Sequence, residues 1–378
     1  MKIGFIFSSD KHQGGVHNFS KSILLNKPDD YEIVIIKYNS VKLDTIFYEN
    51  YNVIELKKNN KLFSKIIRGI IFFLNLNIEK KIYKNNPQLK EIDLYYAPTS
   101  STFPHIYLKN PFCFTLHDLQ HKYLPKNFTL KERLTRNLIF KRLIKKATKI
   151  HCESKKVHED IITFYKVSKN KIIIYPLPSL IDHKLKSTFR ESLVKKNKLK
   201  FNQDYIFYPA KYWLHKNHLL LVIKAQEIFS KYNLKMCFTG GDEIDKTKLI
   251  ELIEKHNASK YISVTGYVDN DELKILYFNS YIVCIPSLYE SISIPVLEGF
   301  LFKKLVIASN IKGVCDQFLD KRFLFNPKSE KSFMNVLEFA TSNNFDKERI
   351  LKTNFDFAKK MQNQGKLFLK TMSKECIN

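Results

Sequence analysis

Short apolar runs alternate with longer amphipathic stretches along this chain, and the whole series occurs twice. In the first half, 2–8 (KIGFIFS), 31–38 (YEIVIIKY), 92–96, 112–116 and 149–153 read as buried strands. A helix is expected from about Val16 to Leu25 and another over 130–146. In the second half the expected strands are 205–208, 234–239, 262–265, 281–286 and 305–308. Helices are expected between them at 217–232, 246–256, 271–278 and 295–302. Continuous apolar strands separated by helices belong to a parallel sheet buried on both faces. The fold class is therefore α/β, with two doubly wound, Rossmann-like domains.

Two prolines in 175–179 (YPLPS) end the first series, and the polar, Lys-rich stretch that follows separates it from the second. The expected organisation is a first domain over 1–180, a linker over 181–200 and a second domain over 201–355. A C-terminal helix, 356–378, is expected to pack back on the first domain. Open α/β sheets bind ligands beyond the carboxyl ends of their strands, so two such domains suggest an interdomain cleft.

Charge bears on partners. The chain of 378 residues carries 63 Lys and Arg against 37 Asp and Glu, a net of +26. Residues 1–200 hold 38 basic and 17 acidic side chains, and the remainder 25 and 20, so +21 of the excess lies in the first half. Only 7 of the basic residues are Arg, and such Lys-richness has a compositional explanation. The asymmetry does not, because drift would load both halves alike. It points to an anionic partner on the first domain. The stretch 126–149 holds nine basic residues and one acid, Glu132, with Leu134, Leu138, Leu143 and Ile144 as an apolar side. Such a helix suits an anionic membrane surface or a lipid-diphosphate acceptor. No nucleic-acid-binding motif is present. Six scattered cysteines form no C-x-x-C pair, and Cys113, Cys237 and Cys284 read as buried thiols of a reducing compartment. No signal peptide and no run long enough to span a bilayer is evident. The expected location is cytoplasmic, with peripheral contact on the inner face of the cell membrane.

Four segments carry candidate chemistry. Gly14 and Gly15 precede the first helix, where glycine lets backbone N–H groups approach a phosphate. His117, in the run HDLQH, follows a strand and is a candidate polar contact to substrate. Lys211 and Lys216 flank a strand-to-helix turn (PAKYWLHKNH), and two ammonium groups beside a helix N-terminus suit a diphosphate. Glu290 and Glu298 are eight residues apart in an otherwise apolar frame, and Glu298 is expected in the first turn of a helix opened by Pro295. Carboxylates accept paired hydrogen bonds from vicinal diols, so this pair suits sugar or ribose hydroxyls. The literal D-x-D at 269–271 reads as a helix cap, because Asp269 is followed three residues on by Glu272. No metal site is expected.

Together these segments resemble the retaining, nucleotide-sugar-dependent glycosyltransferases of family four, which have the GT-B fold. The resemblance runs through Gly14–Val16, His117–Pro125, Glu153-Ser154 with Asp160-Ile161, Lys171–Pro176, the Lys211–His218 segment and Glu290…Glu298. HDLQH and HKNH are similar to a branch that builds bacterial polysaccharide and O-antigen. The resemblance implies that backbone at Gly14 and Gly15 approaches the donor diphosphate, which Lys211 and Lys216 neutralise. It implies that Glu298 binds the ribose, that Glu290 touches the donor sugar, and that His117 lies near the reacting centre. Gly266 and Val268 match the positions where backbone meets the base, and Ser293 and Ile294 fall in the donor loop. His117, Glu290 and Lys216 are thus the expected catalytic set. The family works without a cofactor or metal, and front-face attack with retention is implied.

Three positions depart from that family: Lys211 where Arg is usual, Ser293 where Gly is usual, and Ser291 where Gly is frequent. Each bears on the geometry of the donor loop. Two other classes remain open on sequence: a non-catalytic basic binding module on the same scaffold, and a sugar phosphorylase or epimerase of the same fold.

Overall fold

A computed structural model describes residues 1–8, 15–57, 69–74, 76, 79–107, 111–176 and 203–377. Gly14 and the expected linker, 181–200, lie outside the described residues. The chain divides into two compact units, Met1–Pro178 with Met361–Asn378, and Ser179–Lys360.

The first unit holds seven strands: β1 (Lys2–Phe7), β2 (Glu32–Tyr38), β3 (Asn52–Leu56), β4 (Leu94–Ala97), β5 (Phe112–Thr115), β6 (Lys149–Cys152) and β7 (Ile172–Ile174). They are ordered β3-β2-β1-β4-β5-β6-β7, and every pairing is parallel. Because strand side chains alternate, each strand feeds two cores. Ile3, Phe5, Phe7, Ile33, Ile35, Leu94, Tyr96 and Cys113 pack on one face. Ile6, Val34, Ile36, Tyr95, Phe112 and Phe114 pack on the other. Gly4 breaks the alternation because a Cβ there would sit 2.6 Å from the Tyr95 ring. The helix Gly15–Leu25 contributes Phe19, Ile23 and Leu24 to the first face. The C-terminal helix Phe368–Ile377 adds Phe368, Leu369, Met372 and Cys376 to that same core.

The second face is closed by the helices Leu130–Lys146 and Lys155–Tyr165. This corrects one expectation. Leu143 and Ile144 of the basic helix are buried in the core and unavailable to a membrane, whereas Leu130 and Leu134 are exposed. Thr129 and Glu132 form a reciprocal capping box, so the helix's one acid serves its own N-terminus. Among the described residues, no helix is long and apolar enough to cross a membrane.

The second unit holds β8 (Tyr205–Pro209), β9 (Lys235–Thr239), β10 (Ile262–Gly266), β11 (Ile282–Ile285), β12 (Leu305–Ser309) and β13 (Leu324–Phe325), ordered β10-β9-β8-β11-β12-β13. All pairings are again parallel. Asp269 accepts hydrogen bonds from the N–H groups of Asp271 and Glu272, while its own N–H donates to the Glu272 carboxylate. The D-x-D is thus a capping box. Strands β3, β7 and β13 were not expected as strands. β7 and β13 are three and two residues long, too short for a period to emerge, and the five residues of β3 are interrupted by the polar Asn52 and Glu55; each is recruited by an existing sheet edge.

Two buried histidines set an acid limit on the fold. His151 is enclosed by Phe19, Phe368 and Tyr96, and burial pushes its pKa down to about 4. His218 is enclosed by Tyr208, Tyr212 and Phe238, and burial pushes its pKa down to about 3. Between the ordinary value of 6.5 and these values the unfolded chain binds protons that the folded chain refuses. Stability is therefore expected to fall as pH drops from about 6.5 toward 4, by up to about 1.4 kcal/mol per pH unit for each histidine. Urea unfolding across that range checks this. A His218→Phe variant is expected to give a flatter profile than the parent, and superimposable profiles would remove the buried ring as the cause.

Candidate functional site

In the second unit the sheet changes direction between β8 and β11. Connections run outward to β9 and β10 on one side and to β12 and β13 on the other. Such a switch point leaves a crevice beyond the carboxyl ends of its two central strands. Residues 210–217 leave β8 there, and residues 286–293 leave β11.

The two loops are stitched together. The hydroxyl of Tyr208, a fully buried side chain, donates to the Lys216 carbonyl at 2.7 Å and meets Ser287 Oγ at 3.2 Å. Asn217 adopts left-handed backbone, φ 58°, and its side-chain amide donates to the carbonyls of Pro286 and Pro327, each at 3.0 Å. The Leu288 N–H donates to the His215 carbonyl at 2.7 Å. With the backbone so held, Lys216 Nζ reaches Glu290 Oε1 at 2.7 Å. The two side chains are only 19% and 11% exposed, so each charge leans on the other more than a surface pair does. Lys216 and Glu290 are thereby brought together across the switch point. Lys211 is exposed, its ammonium 5.6 Å from the ring of Trp213, the single tryptophan.

The helix that follows spans Ile294–Leu301. Glu298 is its fifth residue, past the first turn where it was expected, because the helix begins one residue before Pro295. There the carboxylate is buried and accepts the hydroxyl of Tyr277 at 2.7 Å. Burial first, and the Glu298 charge after it, drive the Tyr277 pKa well up. The Tyr277 ring stacks on Phe302, which fixes it in turn. Ser293 occupies the N-cap position without capping by its side chain. Its backbone N–H donates to Gln317 Oε1 at 2.9 Å, and Gln317 Nε2 donates back to its carbonyl at 2.8 Å. The Ser293 hydroxyl is buried with no hydrogen-bond partner among the described residues.

Gln317 escaped the sequence reading, and so did Gly313. A Cβ at Gly313 would stand 1.9 Å from the Glu290 carbonyl oxygen, so only glycine lets the Glu290–Ser291 backbone pass. A signal for it existed. The chain has only 10 glycines, and one kept beside a sheet terminus in so glycine-poor a chain marks a close approach.

Gly266 ends β10, two strands away from β8, with φ +74°. Its carbonyl accepts from the Gly240 N–H and from the hydroxyls of Thr239 and Thr265. Both lone pairs of that oxygen are therefore used within the unit. Val268 follows, half-buried against the same core.

In the first unit, Gly15 opens the helix after β1. His117 lies past β5 with Nδ1 3.0 Å from Glu153 Oε2 and Nε2 2.8 Å from the Pro98 carbonyl. Both ring nitrogens are therefore engaged inside the unit.

Residues 189–361 match the family model described as glycosyl transferases group 1. That match falls almost wholly within the second unit, Ser179–Lys360. The chain is 25% identical over 226 residues to the O-antigen chain mannosyltransferase RfbU of Salmonella typhimurium (strain LT2), covering 59% of each chain. It thus spans about three fifths of that relative's length. Among solved structures, Anabaena Alr3699/HepE in complex with UDP and glucose superposes with a TM-score of 0.75 at 16% identity, covering 99% of both chains. WaaG, a glycosyltransferase involved in lipopolysaccharide biosynthesis, gives 0.65 at 14% identity, covering 96% of this chain and 95% of that one. Together with the two parallel sheets, these likenesses establish the GT-B fold.

The close approach at Gly313 makes a direct prediction. Gly313→Ala forces an overpacked contact of a kind that costs about 1–3 kcal/mol and drives the Glu290 loop outward. Thermal unfolding is expected to show a lower Tm, and an unchanged Tm would mean that the loop yields freely.

Proposed function

We propose that this chain transfers a sugar from a nucleotide-diphosphate donor to a glycan or lipid-linked acceptor, with retention of configuration and without a metal. The observation that carries the reading is the ion pair Lys216–Glu290 across the switch point of the unit that holds the group 1 glycosyl transferase match. The named relative acts in O-antigen synthesis, and the Anabaena neighbour was solved with UDP and glucose.

In this reading the donor diphosphate lies along the crevice between the 210–217 and 286–293 loops. Lys216 is held by Glu290 until a phosphate competes for its ammonium. Lys211, whose ammonium lies near the Trp213 ring and has no ion-pair partner among the described residues, moves toward the diphosphate. The N–H groups that open the helix at Ile294 add their dipole. Glu290, relieved of part of its partner's charge, is left to accept sugar hydroxyls. Glu298, anchored by Tyr277, accepts the ribose diol. With the Gly266 carbonyl saturated, recognition of the base falls to backbone near Val268. Stabilising the departing diphosphate is the main electrostatic task, and in this reading it falls to Lys216.

A thermal-shift screen against UDP, GDP, dTDP, ADP and their sugars tests the donor assignment. A ligand at a hundredfold its Kd stabilises by about 2.7 kcal/mol. Glu298→Ala is expected to abolish most of that shift. Lys216→Met is expected to lower kcat about 100- to 1000-fold, the usual cost of one lost electrostatic group. Turnover is expected to survive EDTA. The reading is wrong if no nucleotide sugar shifts the protein and Glu298→Ala changes nothing.

The membrane contact is a second part of the proposal, located on the first unit. Leu130 and Leu134 are exposed on the basic helix, and Arg142 on the same helix donates to the carbonyl of Phe73. Ile70, Phe73, Leu74 and Leu76 are themselves exposed. Apolar side chains flanked by cations suit an anionic bilayer surface. The protein is expected to co-sediment with phosphatidylglycerol-containing liposomes at low salt, and less so for Leu134→Glu. Absence of sedimentation at low salt would remove the membrane from the proposal.

A further inference from the structure

His117 and Glu153 meet because of strand register. Thr115 of β5 lies opposite His151 of β6, so the residues two further on, His117 and Glu153, emerge on the same face. The two pairs differ in protonation chemistry. His151 Nε2 faces the Tyr175 carbonyl at 3.0 Å, which only accepts, so that nitrogen carries the proton. His151 Nδ1 then accepts from the Thr115 hydroxyl at 2.9 Å, and Thr115 accepts from Tyr96 at 2.5 Å. That ring is fully satisfied when neutral.

His117 has no such arrangement. Its Nε2 faces the Pro98 carbonyl and its Nδ1 faces the Glu153 carboxylate, so both partners are acceptors. A neutral imidazole donates from one nitrogen only, and the other lone pair would then point at an oxygen. Glu153 is 4% exposed, and its second oxygen, Oε1, is buried without a hydrogen-bond partner among the described residues. A buried carboxylate with an unmet oxygen persists only beside a compensating charge, and the His117 ring supplies one.

We propose that Glu153 is a positioning residue that keeps the His117 imidazole doubly protonated and fixed in orientation. The assignment rests on the glycosyltransfer reading only for its consequence. Under that reading His117 cannot withdraw a proton from an acceptor hydroxyl; it offers a fixed positive ring edge to electron-rich substrate oxygens. The groups facing the ring are Glu153, Asp118, the Pro98 carbonyl, the neutral His151 and the edge-on ring of Phe19. Burial works to lower the His117 pKa; the Glu153 charge and hydrogen bond, the Pro98 carbonyl and Asp118 outweigh it and raise it.

The test uses the full chain with ring-15N-labelled histidine, with His117→Gln identifying the His117 resonances. In the parent at pH 7, both His117 nitrogens are expected to show the protonated signature, while His151 shows one protonated and one bare nitrogen. In Glu153→Gln, one His117 nitrogen is expected to lose its proton and the titration to move to lower pH. Glu153→Asp is expected to restore part of that shift. Where turnover is measurable, Glu153→Gln is expected to lower kcat more than it alters the donor KM. A His117 that is neutral in the parent at pH 7, or one whose titration is the same in Glu153→Gln, overturns the proposal. If Glu153→Gln does not fold, the parent spectrum decides alone. If the titrations behave as stated but no nucleotide sugar is consumed, the dyad stands and the glycosyltransfer reading falls.

Discussion

The second unit's site depends on one constraint: two loops leaving adjacent strands at a switch point must be held edge to edge. Tyr208 does most of this. Its hydroxyl joins the Lys216 carbonyl to Ser287, and its ring lies against His218 in the core. Asn217 adds two bonds that a residue in ordinary helical backbone would not reach, because the left-handed turn swings its amide toward Pro286 and Pro327. The Lys216–Glu290 pair is a consequence of that stitching. So is the need for Gly313, which gives way to the Glu290 backbone from the far side. The ion pair's electrostatics therefore rest on packing and hydrogen bonds that carry no formal charge.

The first unit solves a different problem with the same geometry. Alternation along β5 and β6 places Thr115 and His151 in the core, and His117 and Glu153 just beyond it. One ring is neutral and closed in, and the other is charged and partly open. The difference comes from what faces each nitrogen, and burial alone would have lowered both pKa values. The C-terminal helix belongs to this arrangement, since Phe368 packs 4.1 Å from the His151 ring and Thr371 bonds to Tyr175. The last residues of the chain thus help to set the environment behind His117.

Much of this was legible along the chain. Strands such as Lys2–Phe7 and Glu32–Tyr38 announce themselves as unbroken apolar runs, and unbroken runs mean a sheet covered on both faces. The Asp269 cap was readable because capping is local: Glu272 lies three residues away. Readings failed where the answer depended on distant residues. Leu143 and Ile144 look like part of a lipid-facing stripe until the sheet beneath them is in place. Nothing local to Glu298 announces its bond to Tyr277, twenty-one residues earlier.

By itself, the sequence determined the class of fold and the doubled pattern, and it marked the candidate site residues. Those follow from hydrophobic periodicity and from local chemistry within a few residues. Only the tertiary structure decided which charges neutralise each other and which ring nitrogens carry protons. Lys216 and Glu290 are 74 positions apart and His117 and Glu153 are 36 apart. Their meeting depends on strand order and register, and a linear chain encodes these only through the packing of the whole sheet.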